Sequence, residues 1–537
     1  MCAKAIPRAA RGFGNGGYSG WGLRRTMSDR RRSRVEETDA VLSTLRDLDV
    51  LPRSPVSVAG AEIGLARPGP RVAILAPSGS AVMNGFQGES SARADRTLLL
   101  GPTSAANLDA LRDLLPWLRP RPLGIRTSAG FGDRLGLATP GHVRALRAAG
   151  GGLSPIFAQQ SIREMERTGR SPQEVLDDAT WGAFAEGWRE GFGADADHLK
   201  TVEDVDACVA AGYAFFTFDP GEYVDDRAEA AEASALISGL EDLPWEDLED
   251  RPEDLKRRYL DKAFGAEEYE IRFDDLSLAR AAVKYGSAVA QVTRLYRHLE
   301  AAMGDRDFEV EVSVDETESP TTHAQHFYIA SELRRLGVRW VSLAPRYVGT
   351  FEKGVDFIGE VGAFEEDFAV HAAIARDESS GGPYKLSLHS GSDKFSIYPA
   401  VARQAGGLVH LKTAGTSYLE ALRTAAGLDP QFFREVYAFA RGHYRGDRAS
   451  YHVSASLERA VSPEDVPDEE LPVLLERFDE REILHVTFGS ILGEKRLRER
   501  LFGLLHAHPE AYAAGLEAHF LRHLEPFSGE RVQEEKA

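Results

Sequence analysis

The sequence predicts an α/β protein built as a closed (β/α)8 barrel of the TIM type, and three observations lead there. From about residue 120 one unit recurs: a short apolar run, a polar cluster, then a helical pattern. The unit occurs eight times, the number that closes such a barrel. Nearly every apolar run ends in ionisable residues, as the C-terminal mouth of a barrel requires. A doubly wound open sheet is the other reading of the same alternation.

In order, the first unit is PLGIRTSAGFGDR with GHVRALRAAG, and the second is SPIFAQQ with SIREMERTG. The third is GADADHLKT with VEDVDACVAAG, and the fourth is FFTFDPGEYVDD. Residues 225–306, which contain EDLPWEDLEDRPEDLKRRYL, then interrupt the pattern. They read as a helical, acidic insertion after strand 4, too long for an ordinary loop and expected to be a solvated lid or an oligomer contact. The fifth unit is FEVEVSVDETE with AQHFYIASELRRLG, and the sixth is RWVSLAPRYVG. The seventh is YKLSLHSGSDK with YPAVARQAG, and the eighth is LVHLKTAG with SYLEALRTAAG. Helices close on Gly150, Gly212, Gly337 and Gly406, which fits C-terminal glycine caps. Strands alternating with helices imply parallel pairing through right-handed crossovers.

The barrel is thus assigned to residues 121–425. Residues 39–120 hold the strand-like RVAILAP and two helical patterns, and form an N-terminal subdomain or barrel cover. Residues 426–537 form a helical C-terminal extension, whose His506, His508, His519 and His523 sit at helical spacing and read as packing or surface residues. Residues 1–38 are rich in Arg and Gly with no periodic apolar face, and read as a disordered basic tail.

The formal charge of −20, from 84 acidic and 64 basic residues, argues against nucleic-acid or anionic-membrane binding. No run approaches the roughly 18–20 apolar residues of a membrane span. Only Cys2 and Cys208 occur, so no disulfide framework exists and a cytoplasmic location is expected. A phosphate-binding loop, a serine nucleophile elbow, H-E-x-x-H and paired C-x-x-C are all absent, and GLATPGH lacks dinucleotide-binding spacing.

A closed barrel brings its strand ends to one mouth. Those ends carry Asp133 and Arg134; Asp195, Asp197, His198 and Lys200; Asp219 and Glu222; Asp315 and Glu316; Arg346; His389, Asp393 and Lys394; and His410 and Lys412. His198, His389 and His410 suit a divalent transition metal, such as Zn, Mn, Ni or Co, with a position left open for substrate. Asp197 and Glu316 are the carboxylates placed to be a further ligand or acid/base groups. Lys200, Arg346, Lys394 and Lys412 form a basic ring for an anionic substrate, with Asp393 beside it.

Seven segments carry a resemblance: PIFAQQSIREMERTGRSP, GFGADADHLKT, FTFDPGEYVDD, EVSVDETESPTT, SLAPRYVGTFEKGVDFIGE, SLHSGSDKFSIYP and HLKTAGTSYLEALR. Together the chain resembles the tagaturonate/fructuronate epimerase family, from roughly residue 70 to near the C-terminus. The resemblance implies a metal-dependent enzyme interconverting two ketouronates that differ at the carbinol carbon β to the ketone. That C–H is not acidified by the carbonyl, so the direct route is retro-aldol cleavage, with Asp197 and Glu316 exchanging the hydroxyl proton. Lys412 or Arg346 would hold the substrate carboxylate. Two rivals remain at this level: a Schiff-base aldolase using Lys200 or Lys412, and a non-catalytic sugar-acid binding or regulatory protein on the same fold. The partner is a small ketouronate, with a homo-oligomer left open.

Overall fold

All eight apolar runs become parallel strands. They are Ser128–Phe131, Ser154–Ser161, Gly193–Leu199, Phe215–Phe218, Glu309–Ser313, Ser342–Ala344, Lys385–Leu388 and Val409–Thr413. The eighth pairs with the first, His410 opposite Ser128 and Lys412 opposite Gly130, so the sheet closes and an open sheet is excluded. This computed structural model describes Leu45 and residues 48–528; the tail expected over residues 1–38 lies outside them.

Each strand hands its chain to a helix that packs outside the barrel. Gly212 and Gly406 end two of those helices in the left-handed conformation, which costs glycine nothing. Residues 56–102 fold into a five-stranded antiparallel sheet. Its apolar face (Ile63, Leu65, Val72, Ile74, Leu99) and the helix Ala105–Leu114 pack on Trp181 and Phe184 of the helix after the second strand. This sheet therefore braces the flank of the barrel.

The segment 225–306 differs from its reading as a helical insertion. Its last part, Asp275–Met303, is the barrel's own fourth helix, packed between Val202–Ala211 and His323–Arg335. Before it, Ala263–Ala266 and Tyr269–Arg272 form a hairpin. Phe264 and Phe273 pack at a tilt against Phe327, and Tyr259 donates to Glu332 at 2.7 Å, so the hairpin lies on the barrel's outer helices. Short strands without a β-branched run left no period-2 signal to read. After residue 429 the chain is mostly helical, apart from loops and short 3-10 turns over residues 451–477, and its helix Pro509–Leu524 packs on Thr139–Ala149 and Thr416–Leu428. Among the described residues no helix is long and apolar enough to cross a membrane.

Inside the barrel the packing is polar. Lys385 reaches Ser128 at 3.0 Å in the lower layer, where His410 also sits. Above them Lys412 lies 2.6–2.8 Å from Asp195, Asp197 and Glu311. Branched apolar residues usually fill this space; here three carboxylates around one ammonium fill it just below the mouth.

Candidate active site

Two strands deliver imidazoles to the mouth by different means. In the third, the ladder slips between Ala196 and Leu199, and His198 takes φ +55°. A positive φ is uncommon for histidine, and a bulge re-aims a side chain, so the backbone strain here turns His198 over the mouth. In the seventh, His389 follows Leu388 and points inward, its Nε2 2.6 Å from Glu311 Oε1. The fifth strand places Glu309, Glu311, Ser313 and Asp315 on one face by its period of two. Asp315 Oδ1 lies 3.1 Å from His389 Nδ1 and 3.9 Å from His198 Nε2. The imidazole rings are 5.0 Å apart. One ligand atom each from His198, Asp315 and His389 falls within 4.8 Å of the others.

Each imidazole is braced from behind, His198 by Asp197 at 2.8 Å and His389 by Glu311. A carboxylate on the rear nitrogen fixes ring orientation and leaves the front nitrogen for a ligand. Burial opposes charge on both rings, but Asp197 overrides it and pushes His198 up to about 10. Asp315 does the same for His389, which is pushed up to about 8. Burial likewise works against Asp315, yet His389 and His198 hold it well below the usual carboxylate range. The nest thus has a surplus of negative charge that favours cations. Two imidazole nitrogens and a carboxylate oxygen are the donor set that zinc, cobalt or manganese accept, so the residues present fit such an ion.

The cleft above is lined by Gln159, Asp197, His198, Asp315, Lys353, Gly354, His389, Ser390, Ser392, Lys412 and Ala414. At its rim stand Glu316, 4.0 Å from His198 Nε2, and Lys200, 3.5 Å from Asp219. One ligand atom each from Asp219, Glu316 and His198 also falls within 4.8 Å of the others, and Asp219 Oδ2 is buried without a hydrogen-bond partner.

Of the residues expected from sequence, the mouth brings together His198, His389, Asp197, Glu316, Lys200 and Lys412. His410 does not join them. It shares its face with Lys412 but sits one layer lower, about 6.6 Å along the strand. Its Nδ1 lies 2.9 Å from Ser128 Oγ, Phe215 packs on its ring, and burial lowers it to about 3. Arg346 donates to Thr317 O at 2.8 Å and pins the loop after the fifth strand, outside the cleft. Lys394 donates to the carbonyls of Glu352, Val355 and Ser392 at 2.5–3.0 Å. Asp393 is held by Arg481 at 2.8 Å, His519 at 2.7 Å and Thr416 at 3.0 Å. Neither lines the cleft.

Asp197 has no free oxygen: Oδ1 meets His198 and Lys412, and Oδ2 accepts from Gln159. Despite its burial, His198 and Lys412 hold it well below the usual range. Sequence reasoning missed Lys353, which lies in a long loop away from any strand end. It also passed over Asp315 as a ligand, although the shared parity of Glu309, Glu311, Ser313 and Asp315 was visible in EVEVSVD.

A closed parallel barrel with two braced imidazoles, a shared carboxylate and rim acids at its C-terminal mouth defines a (β/α)8-barrel enzyme. The family model described as tagaturonate epimerase matches residues 73–527. A tagaturonate/fructuronate epimerase of Thermotoga maritima is 46% identical over 423 residues, covering 79% of this chain and 85% of that protein. The glycerol-complexed crystal structure of a fructuronate-tagaturonate epimerase from Cohnella laeviribosi superimposes with a TM-score of 0.83 at 36% identity, covering 93% of this chain and 99% of that one. The native crystal structure from the same organism gives 0.83 and 36%, with 92% and 99% covered. The chain belongs to the tagaturonate epimerase family.

Proposed function

We propose that this protein interconverts D-tagaturonate and D-fructuronate at the barrel mouth, with His198, Asp315 and His389 as ligands of one divalent transition metal. The observation that carries the reading is the convergence of two carboxylate-braced imidazoles on Asp315, in a chain of this family. An ion held there would act as Lewis acid towards the substrate's ketone and α-hydroxyl.

The chain's own residues then supply the proton traffic. Glu316, 37% exposed at its side chain, takes the proton of the β-hydroxyl. As the aldehyde forms, the bond between the α and β carbons breaks, and its electron pair stays with the ketone fragment. The aldehyde turns, the bond reforms on its other face, and Asp219 returns a proton to the new alkoxide; exchange with solvent resets both acids. Lys353, on the cleft wall and 3.3 Å from Ser390, holds the substrate carboxylate. Asp197 acts through His198, and Lys412 through the carboxylates it ties together. Burial opposes charge on Lys412, but Asp195, Asp197 and Glu311 hold it far above the ordinary lysine range. An ammonium so held is a poor Schiff-base nucleophile.

Deuterium on the inverted carbon tests the route. Retention of the label in fructuronate formed from labelled tagaturonate is expected in ordinary water. Its loss to solvent would replace bond cleavage by deprotonation at carbon.

A further inference from the structure

A second group of two histidines and a carboxylate lies away from the mouth cleft. It joins the first turn of the helix His323–Arg335 to the helix Val361–Arg376, the fifth and sixth helices of the barrel. Asp367 and His371 are four residues apart and so share a helix face. His323 Nε2 lies 3.0 Å from Asp367 Oδ1, and His371 Nε2 lies 3.7 Å from Asp367 Oδ2. One ligand atom from each residue falls within 4.8 Å of the others. None of the three lines the cleft.

The observation that asks for a ligand is His371 Nε2, which is fully buried and makes no hydrogen bond of good geometry, with the Thr321 backbone beside the ring. Its other nitrogen is engaged: Nδ1 lies 2.9 Å from Nδ1 of His326, whose Nε2 lies 2.8 Å from the hydroxyl of Tyr384. His371 Nε2 therefore faces the Asp367 carboxylate across 3.7 Å. A rear hydrogen bond that fixes the tautomer is what histidine ligands of metals use.

We propose that His323, Asp367 and His371 form a second site for a divalent transition metal such as zinc or cobalt, which clamps the fifth barrel helix to the sixth. The nitrogen, nitrogen and oxygen donors suit these ions, and His323, 35% exposed, gives access from solvent. The proposal is independent of the chemistry assigned to the mouth.

Cobalt and zinc binding to the metal-free protein tests it, counted by equilibrium dialysis and, for cobalt, by visible absorption. Two ions per chain are expected for the wild type and one for His323→Ala and for Asp367→Asn. In both variants tagaturonate turnover should stay within about twofold of wild type, and zinc should no longer raise the melting temperature through this site. His389→Ala should lose the other ion and keep this one. His323 is part-exposed and Asp367→Asn is isosteric, so both variants should fold; circular dichroism verifies it. Wild-type stoichiometry and an unchanged zinc-dependent melting shift in both variants would overturn the second site.

Discussion

Two clusters at the top of the barrel pair a carboxylate with two histidines, and they differ in what completes them. At the mouth, Asp315 faces His198 and His389, with further carboxylates behind the rings. Some residues further along the seventh unit, Asp393 faces His519 and His523, but Arg481 and Thr416 also bind it. The guanidinium neutralises the second cluster and leaves it nothing to bind. The first remains short of positive charge. The same residue types therefore make an open nest, the site proposed for the ion, in one place and a closed clasp in the other, and an arginine marks the difference.

The clasp still serves the cleft. Arg481 donates to the carbonyl of Gly354, Lys394 to those of Glu352 and Val355, and Ser454 to the Glu352 carboxylate. Those contacts fix both sides of Lys353, the one lysine of that loop that reaches the cleft wall. Gly354 itself has φ +79°, and a Cβ there would come 2.8 Å from His485, so glycine is required at that close approach.

Substitutions can sharpen this contrast. Glu316→Gln should cut kcat by about 10²–10⁴-fold while bound metal stays, because it removes a proton carrier beside the nest and no ligand. Asp393→Ala should leave ion binding at the mouth unchanged but lower stability by about 3–5 kcal/mol in urea unfolding, since it strands a buried guanidinium. Normal stability in that variant would break the reading of the clasp as structural. Lys353→Met should cost about 1.5–3 kcal/mol in kcat/KM on tagaturonate and little on neutral tagatose. Equal losses on the two substrates would remove Lys353 from carboxylate recognition.

The smallest effect concerns pH. Burial and the neighbouring Glu352 push Glu482 up to about 9, from an ordinary value of 4.5. The folded protein holds this proton more tightly than the unfolded chain does. Its contribution to stability is therefore complete below about 4.5 and is lost as pH rises through about 9. Glu482→Gln should flatten the decline of urea stability between about pH 6 and about pH 10, and an unchanged slope would contradict the pairing.

The sequence made the barrel legible because each strand ends in ionisable residues and each helix restores the alternation. His198 and His389 followed from that rule, and so did Asp197, Asp315 and Glu316 as strand-end acids, but not Glu311, which lies within the fifth strand. The rule failed where height along a strand mattered: His410 and Lys412 share a face, and only the register shows that one lies below the other. It failed again at Asp393 and Lys394, which follow a strand end but turn away into the C-terminal helices. Partners such as Arg481 and His519 lie about 90–125 residues further on, beyond any local pattern. Lys353 lacked a signal of its own, because a lysine in a glycine-containing loop resembles any solvated one.

The central claim is that the ligand set at the mouth is His198, Asp315 and His389, without His410. Counting bound ions and tagaturonate turnover together in His389→Ala, Asp315→Asn and His410→Ala tests it most directly. The first two should each bind one ion fewer per chain than the wild type and lose at least about 10³-fold in kcat/KM, several kcal/mol of Lewis-acid assistance. His410→Ala should keep the wild-type ion count. Loss of an ion in His410→Ala, with full occupancy in Asp315→Asn, would contradict the account.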